Sequence, residues 1–181
     1  MNLSKKDAPK NITQHERVLD ANDFILSKTD LQGKITYCNR IFAEMAGYSK
    51  AELIGANHNL IRHPDMPAVA FKLAWDLIQN GKEFFGYVKN LCKDGSYYWV
   101  FAYITPDYND KGHIIGYTSI RRKPAYGAIE TIIPIYKRLL EAERQNGISA
   151  SQKLLKTFLD EQNSIYDAFI IGLQEETRSA S

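Results

Sequence analysis

Two short runs rich in β-branched and aromatic residues open the patterned part of the chain, Phe24 to Lys28 and Lys34 to Cys38. Both read as strands, and Thr29-Asp30-Leu31-Gln32-Gly33 between them has the chemistry of a hairpin turn. The spacing then becomes helical. Asn39 can cap Arg40 to Ala46, and Gly47 ends that helix. Ser49-Lys50-Ala51-Glu52 is a capping box for a second short helix, stopped by Gly55. From Ala68 to Gln79, Val69, Phe71, Leu73, Ala74, Leu77 and Ile78 fall on one helical face, and Asn80-Gly81 closes it. Three longer β runs follow, Phe84 to Leu91, Tyr97 to Thr105 and Ile114 to Ile120, parted by turns at Lys93-Asp94-Gly95 and Asn109-Asp110-Lys111-Gly112. Two strands, helices and three strands make an α+β unit over about 23–123, with a five-stranded antiparallel sheet and helices on one face.

The flanks differ from this unit. Residues 1–22 read as a polar N-terminal cap, with a short helix over 11–19 started by Asn11 or Thr13. Residues 124–181 read as a helical output or dimerisation region. Tyr126 to Arg144 places Ile129, Ile132, Ile133, Tyr136, Leu139 and Leu140 at helical spacing, and Pro134 must kink that helix or start its second half. Gly147 breaks the chain. Ser149 or Ser151 can then cap a last helix, whose stripe runs Leu154, Leu155, Phe158, Ile165, Phe169, Ile170, Leu173. Amphipathic helices of this kind must be buried against each other, against the sheet or against a partner.

Composition narrows the function classes. The chain has 181 residues, 44% hydrophobic and 24% charged, which is the profile of a globular domain with something appended. A net charge of +2 gives no reason to expect nucleic acid or an anionic membrane as partner. No apolar run approaches the roughly 20 residues of a membrane span, and the first 16 residues lack the apolar core of a signal peptide, so a cytoplasmic protein is expected. Cys38 and Cys92 have no metal spacing and are expected as reduced thiols. Aromatic residues make up 12% of the chain, ample for lining a pocket around a flat ligand.

The densest chemistry lies in His58-Asn59-Leu60-Ile61-Arg62-His63-Pro64-Asp65-Met66-Pro67. Two prolines keep this decapeptide from being an ordinary helix, so its imidazoles, guanidinium and carboxylate sit on a shaped loop. Such a loop is either a solvated connection, with Asp65 capping the next helix, or a binding site on a rigid frame.

Its words and their order resemble a PAS domain, over roughly residues 22–123, and within that fold the bacterial aerotaxis receptor family. The resemblance is carried by Gly47-Tyr48-Ser49 through Glu52-Leu53 to Gly55, by the complete decapeptide, by Val88-Lys89-Asn90, by the Lys93 to Gly95 turn, by Tyr98-Trp99-Val100, and by Gly116-Tyr117 through Ser119-Ile120-Arg121. It implies a noncovalently bound FAD whose redox state is read as a signal for energy taxis. Asn90, on an otherwise apolar strand face, then becomes a partner for the flavin edge, or an edge amide pairing with backbone. Arg62 and His63 become contacts for phosphate or the flavin edge, with Asp65 orienting one of them, or else Arg62 and Asp65 merely staple the loop. Asn59 belongs to the same site. Trp75 is a ring cover or plain core, and Asn39 a ligand or only a helix cap. Trp99 is expected in sheet packing. The Trp expected at the start of the first long strand is here Phe84, with Phe85 beside it, which keeps a flat wall without the indole N–H.

Light-sensing flavin PAS domains align without a gap over Gly55 to Arg62. The position of their reactive cysteine is held by His58, so no thiol photoadduct is expected. Their last-strand glutamine corresponds to Arg121, whose permanent charge could answer an anionic reduced flavin. No histidine-kinase, cyclase or phosphodiesterase signature is present, so a sensor is expected and an enzyme is not. The aerotaxis receptors continue into a membrane span and a coiled coil. A chain without them implies a bipartite system, in which a homo-oligomeric flavoprotein signals through its helices to a membrane-bound chemotaxis transducer at the inner membrane face. The alternatives are a haem gas sensor using His58 or His63 as axial ligand, and a ligand-free interaction module.

Overall fold

A computed structural model describes residues 2–176 of the chain. Its strands are β1 (Phe24–Thr29), β2 (Ile35–Cys38), β3 (Phe84–Leu91), β4 (Tyr97–Tyr108) and β5 (Ile114–Arg122). They form one antiparallel sheet in the order β2-β1-β5-β4-β3. The two strands farthest apart in sequence, β1 and β5, therefore pair at its centre, with Ile25 opposite Arg121 and Ser27 opposite Ser119. The helices are α1 (Arg40–Ala46), α2 (Lys50–Leu53), α3 (Ala68–Gln79), α4 (Tyr126–Asn146), α5 (Ile148–Glu161) and α6 (Tyr166–Glu176).

The strand residues alternate between two faces. Val88, Asn90, Val100, Ala102, Tyr117 and Arg121 look toward α1–α3. Phe42, Leu53, Leu60 and Ile61 pack there with Ile25, Ile35 and Tyr98. Tyr87, Trp99, Phe85 and Phe101 look the other way, where they meet Ala128, Ile132, Tyr136 and Leu139 of α4 and Ile170 of α6. The expected helices thus cover one face, and the C-terminal helices cover part of the other. Tyr136 Oη donates to the Tyr87 carbonyl at 2.8 Å, and Tyr87 Oη donates to the Ile170 carbonyl at 3.1 Å. Trp99 sits in this sheet packing, as expected, with its ring 6.3 Å from that of Tyr136.

Several expectations at the flanks are corrected. Residues 11–19 are not helical. Their backbone is drawn to the β3–β4 turn, with Thr13 N donating to Gly95 O at 2.9 Å and Arg17 N to Tyr97 O at 2.7 Å. A sparsely apolar segment gains more from these partners, and from burying Leu19, than from a helix of its own. Further upstream, Lys5–Asp7 forms a single 3-10 turn. The C-terminal stripe is two helices, because the chain turns at Gln162–Ile165, where Asn163 takes φ 50°. Ile165 is consequently exposed. Neither Ser149 nor Ser151 caps α5; Gly147 occupies that position. Pro134 is accommodated inside α4, which runs unbroken from Tyr126 to Asn146. Residues 177–181 of the expected helical region lie outside the described residues.

Candidate functional site

Between the inner sheet face and α3 lies a cavity of about 460 Å³. That volume falls within the range of small-molecule and cofactor sites. Its walls follow from the local structure. Beneath it, Val88 and Asn90 of β3, Ala102 and Ile104 of β4, and Tyr117, Ser119 and Arg121 of β5 project upward by period-two alternation. The facing wall is α3, which presents Phe71, Ala74, Trp75 and Ile78 at helical spacing. One end is closed by a 3-10 turn over His58–Ile61, capped by Asn57, whose Oδ1 accepts from Asn59 N at 2.9 Å. At the rim Gly33 takes φ 77°, and a Cβ there would lie 3.3 Å from the Trp75 ring. Trp75 meets Tyr117 edge to face, centroids 5.5 Å apart.

The decapeptide is held in place from three sides. Arg62 forms an isolated antiparallel bridge with Asn90, on the free edge of β3. His58 N donates to Gly33 O at 2.8 Å. From the N-terminal segment, Lys5 Nζ donates to the Arg62 carbonyl, and Asn57 N donates to Leu3 O at 3.2 Å.

One corner of the cavity is polar and deeply set. Arg121 Nη2 donates to Ser27 Oγ and lies 3.1 Å from His58 Nε2. The guanidinium rests 4.7 Å above the Phe42 ring, on which His58 also stacks at 5.6 Å. Burial, reinforced by the Arg121 charge, pushes the His58 imidazole down to about 3, so it is neutral and its Nε2 accepts. Burial lowers Arg121 to about 10, which leaves it charged at neutral pH. Its Nε and Nη1 nonetheless have no hydrogen-bond partner among the described residues, nor has Asn90 Nδ2. Buried donors are rarely left unmade without reason. Both residues line the cavity, so these unpartnered donors lie in the residues that wall it.

Of the expected site residues, His58, Asn59, Arg62, Trp75, Asn90 and Arg121 come together around this cavity. Four do not. Asn39 is a cap and more: its Oδ1 accepts from Phe42 N and Leu26 N, both at 3.1 Å, and its Nδ2 donates to Phe24 O at 2.9 Å. Its polar atoms are committed to backbone. His63 is buried behind the loop, edge-on to Tyr97, with Nδ1 accepting from Asp65 N at 3.1 Å. Asp65 turns outward to Lys89 Nζ at 2.7 Å, so it neither staples Arg62 nor caps α3. Phe84 packs beside the cavity with Ala74, Ile78 and Tyr117, and stacks on Tyr166 of α6. Ser119, Tyr117 and Asn57 were missed. Ser119 and Tyr117 were legible as the same-face neighbours of Arg121 on β5; Asn57 stands one residue before the decapeptide.

Residues 35–121 match the PAS fold family. The chain is 41% identical to the aerotaxis receptor of Escherichia coli over 128 residues, which are 71% of this chain and 25% of that protein. It is 29% identical over 122 residues to the nitrogen fixation regulatory protein of Klebsiella pneumoniae, covering 67% of this chain and 25% of the relative. The chain thus spans about a quarter of the length of these curated relatives. A solved light-oxygen-voltage domain, described with a flavin analogue, superposes with a TM-score of 0.54 at 20% identity, covering 61% of this chain and 83% of that one. At that identity the likeness speaks for the fold alone. Among the described residues no helix is long and apolar enough to cross a membrane.

Proposed function

On the premise that residues 35–121 match the PAS fold family, we propose that the cavity holds FAD and that the flavin's redox state is the signal the chain passes on. One observation carries the reading. Two buried, cavity-lining side chains, Asn90 and Arg121, hold N–H groups with no partner among the described residues, on a floor they share with Val88, Ala102, Ile104, Tyr117 and Ser119. A flavin ring system answers that donor set, since its pyrimidine edge is rich in acceptors. Asn90 and Arg121 would hold that edge. Phe71, Trp75 and Tyr117 would cover the ring plane, and Arg62 with Asn59, at the 3-10 turn and its end, would take the phosphates. When bound, the flavin supplies reversible electron transfer. The protein supplies a fixed positive charge at Arg121, a neutral imidazole at His58 to accept from it, and apolar walls that strengthen both interactions.

Cys38 and Cys92 are free, buried thiols that stand outside this cavity lining, so the proposed chemistry involves no thiol adduct. The same geometry disfavours haem. His63 lies outside the cavity lining and accepts a backbone N–H, while His58 Nε2 is engaged with Arg121 and Ser27. The reading extends to a cytoplasmic sensor that speaks through α4–α6 to a membrane-bound chemotaxis transducer, with self-association through the same helices. Similarity to the aerotaxis receptor supports this extension.

The absorption spectrum of the purified chain tests the proposal. Blue-region maxima, bleached by dithionite and restored by air, are expected, with FAD recovered on denaturation. A Soret band, or no chromophore after incubation with FAD, would overturn it.

A further inference from the structure

The N-terminus of α3 has no cap from its own neighbourhood. The residue before it is Pro67, which offers no side-chain acceptor. Its first two amides are satisfied from far along the chain. Ala68 N donates to Glu143 Oε2 and Val69 N to Glu143 Oε1, both at 2.8 Å. Glu143 stands near the end of α4, and its Oε1 also accepts from Ser151 Oγ of α5 at 3.0 Å. Ser151 is fully buried. One carboxylate therefore ties together the cavity helix and both helices of the α4–α5 hairpin. A negative group at a helix N-terminus, receiving two amides, is well placed for strong capping.

The same short segment is gripped from inside. Arg62, a cavity-lining residue, donates from Nη2 to the Met66 carbonyl at 3.1 Å, with its guanidinium 4.4 Å above the Phe71 ring. Met66 to Val69 is thus held by Arg62 on the cavity side and by Glu143 on the α4 side. Opposite charges face each other across one turn of backbone.

We propose that Glu143 is the positioning residue through which the state of the cavity reaches α4 and α5. An anionic group entering at Asn59 and Arg62 competes with Met66 O for the guanidinium. The released segment lets the first turn of α3 shift, and the Glu143 carboxylate must follow the amides or part from Ser151. The direction is reversible, because coupling between two sites acts equally both ways. This inference rests on the cofactor reading only for the identity of the anion; the linkage itself is made of protein groups.

A double-mutant cycle needs no ligand. Amide hydrogen exchange of α5 is measured in the full chain, in Arg62→Ala, in Glu143→Gln and in the double variant. Arg62→Ala is expected to speed α5 exchange by roughly a factor of ten, and to add little once Glu143 is replaced. Ser151→Ala, which cuts only the α5 leg, is expected to uncouple α5 in the same way and serves if Glu143→Gln folds poorly. Equal effects of Arg62→Ala with and without the clamp, or no effect on α5 at all, would refute the proposal. The visible spectrum of the same samples reports the flavin reading separately, so either idea can fail alone.

Discussion

Arg121 Nη2 and His58 Nε2 lie 3.1 Å apart, with the guanidinium donating and the imidazole held neutral. A cation is thereby fixed at the inner end of the cavity, and no carboxylate among the described residues pairs with it. Two of its nitrogens have no hydrogen-bond partner among the described residues.

The first consequence is an acid-sensitive fold. Burial and the Arg121 charge keep folded His58 near 3, and burial with the Lys89 charge lowers His63. Unfolded imidazoles titrate near 6.5. Between those values the unfolded chain binds more protons, so stability rises with pH across the window and is lost as pH falls below 6.5. Each histidine contributes a slope of about 1.4 kcal/mol per pH unit there. The urea midpoint should decline steadily from pH 6.5 to 4.5, and His58→Gln should flatten the decline. A midpoint indifferent to pH in this range would contradict the assignment.

Arg121→Gln should bind oxidised flavin and hold the reduced form less well. Losing a charge-assisted contact to an anionic reduced ring should lower the midpoint potential by about 30–60 mV. Spectroelectrochemistry measures this directly. An unchanged potential would remove Arg121 from the proposed sensing role.

Asn90→Leu separates ligand binding from stability. It deletes a buried amide donor left without a partner, so the ligand-free protein should melt at the same temperature or higher. Affinity for flavin should fall about 10–100-fold, the worth of one or two hydrogen bonds in a dry site. A marked drop in melting temperature without loss of affinity would make Asn90 structural.

Tyr136→Phe tests how α4 is docked. Its hydroxyl donates to the buried Tyr87 carbonyl at 2.8 Å, and removal leaves that acceptor unmet at a cost of about 1–3 kcal/mol. Chemical denaturation should show the loss, and exchange should rise first in α4. Flavin absorption should be unaffected, because Tyr87 looks away from the cavity.

Much of this architecture was legible in the sequence because it is locally encoded. The boundaries of α3 and β3 follow from an apolar face and from Asn80-Gly81, and the capping box at Ser49 and Glu52 forms as its spacing requires. Where reading failed, the deciding partner was distant. Residues 11–19 are shaped by Gly95 and Tyr97, and the α3 cap comes from Glu143, not from nearby Asp65. The decapeptide divided for a related reason. His58, Asn59 and Arg62 line the cavity because the 3-10 turn closes one end of it. His63 and Asp65 follow the chain over the free edge of β3, where Lys89 meets Asp65 from the outer face.

The pairing of β1 with β5 also orders events in time. Arg121 reaches Ser27 across 94 positions of sequence, so the polar corner of the cavity exists only once the sheet's longest-range contact has closed. Loop closure over such a span is slow and comes at the expense of chain entropy. A ligand finds no complete site in earlier, partly folded chains. It should leave the folding rate nearly untouched and act almost wholly by slowing unfolding. The occupied protein would then persist through kinetic resistance, with the ligand arriving after the fold and departing before it.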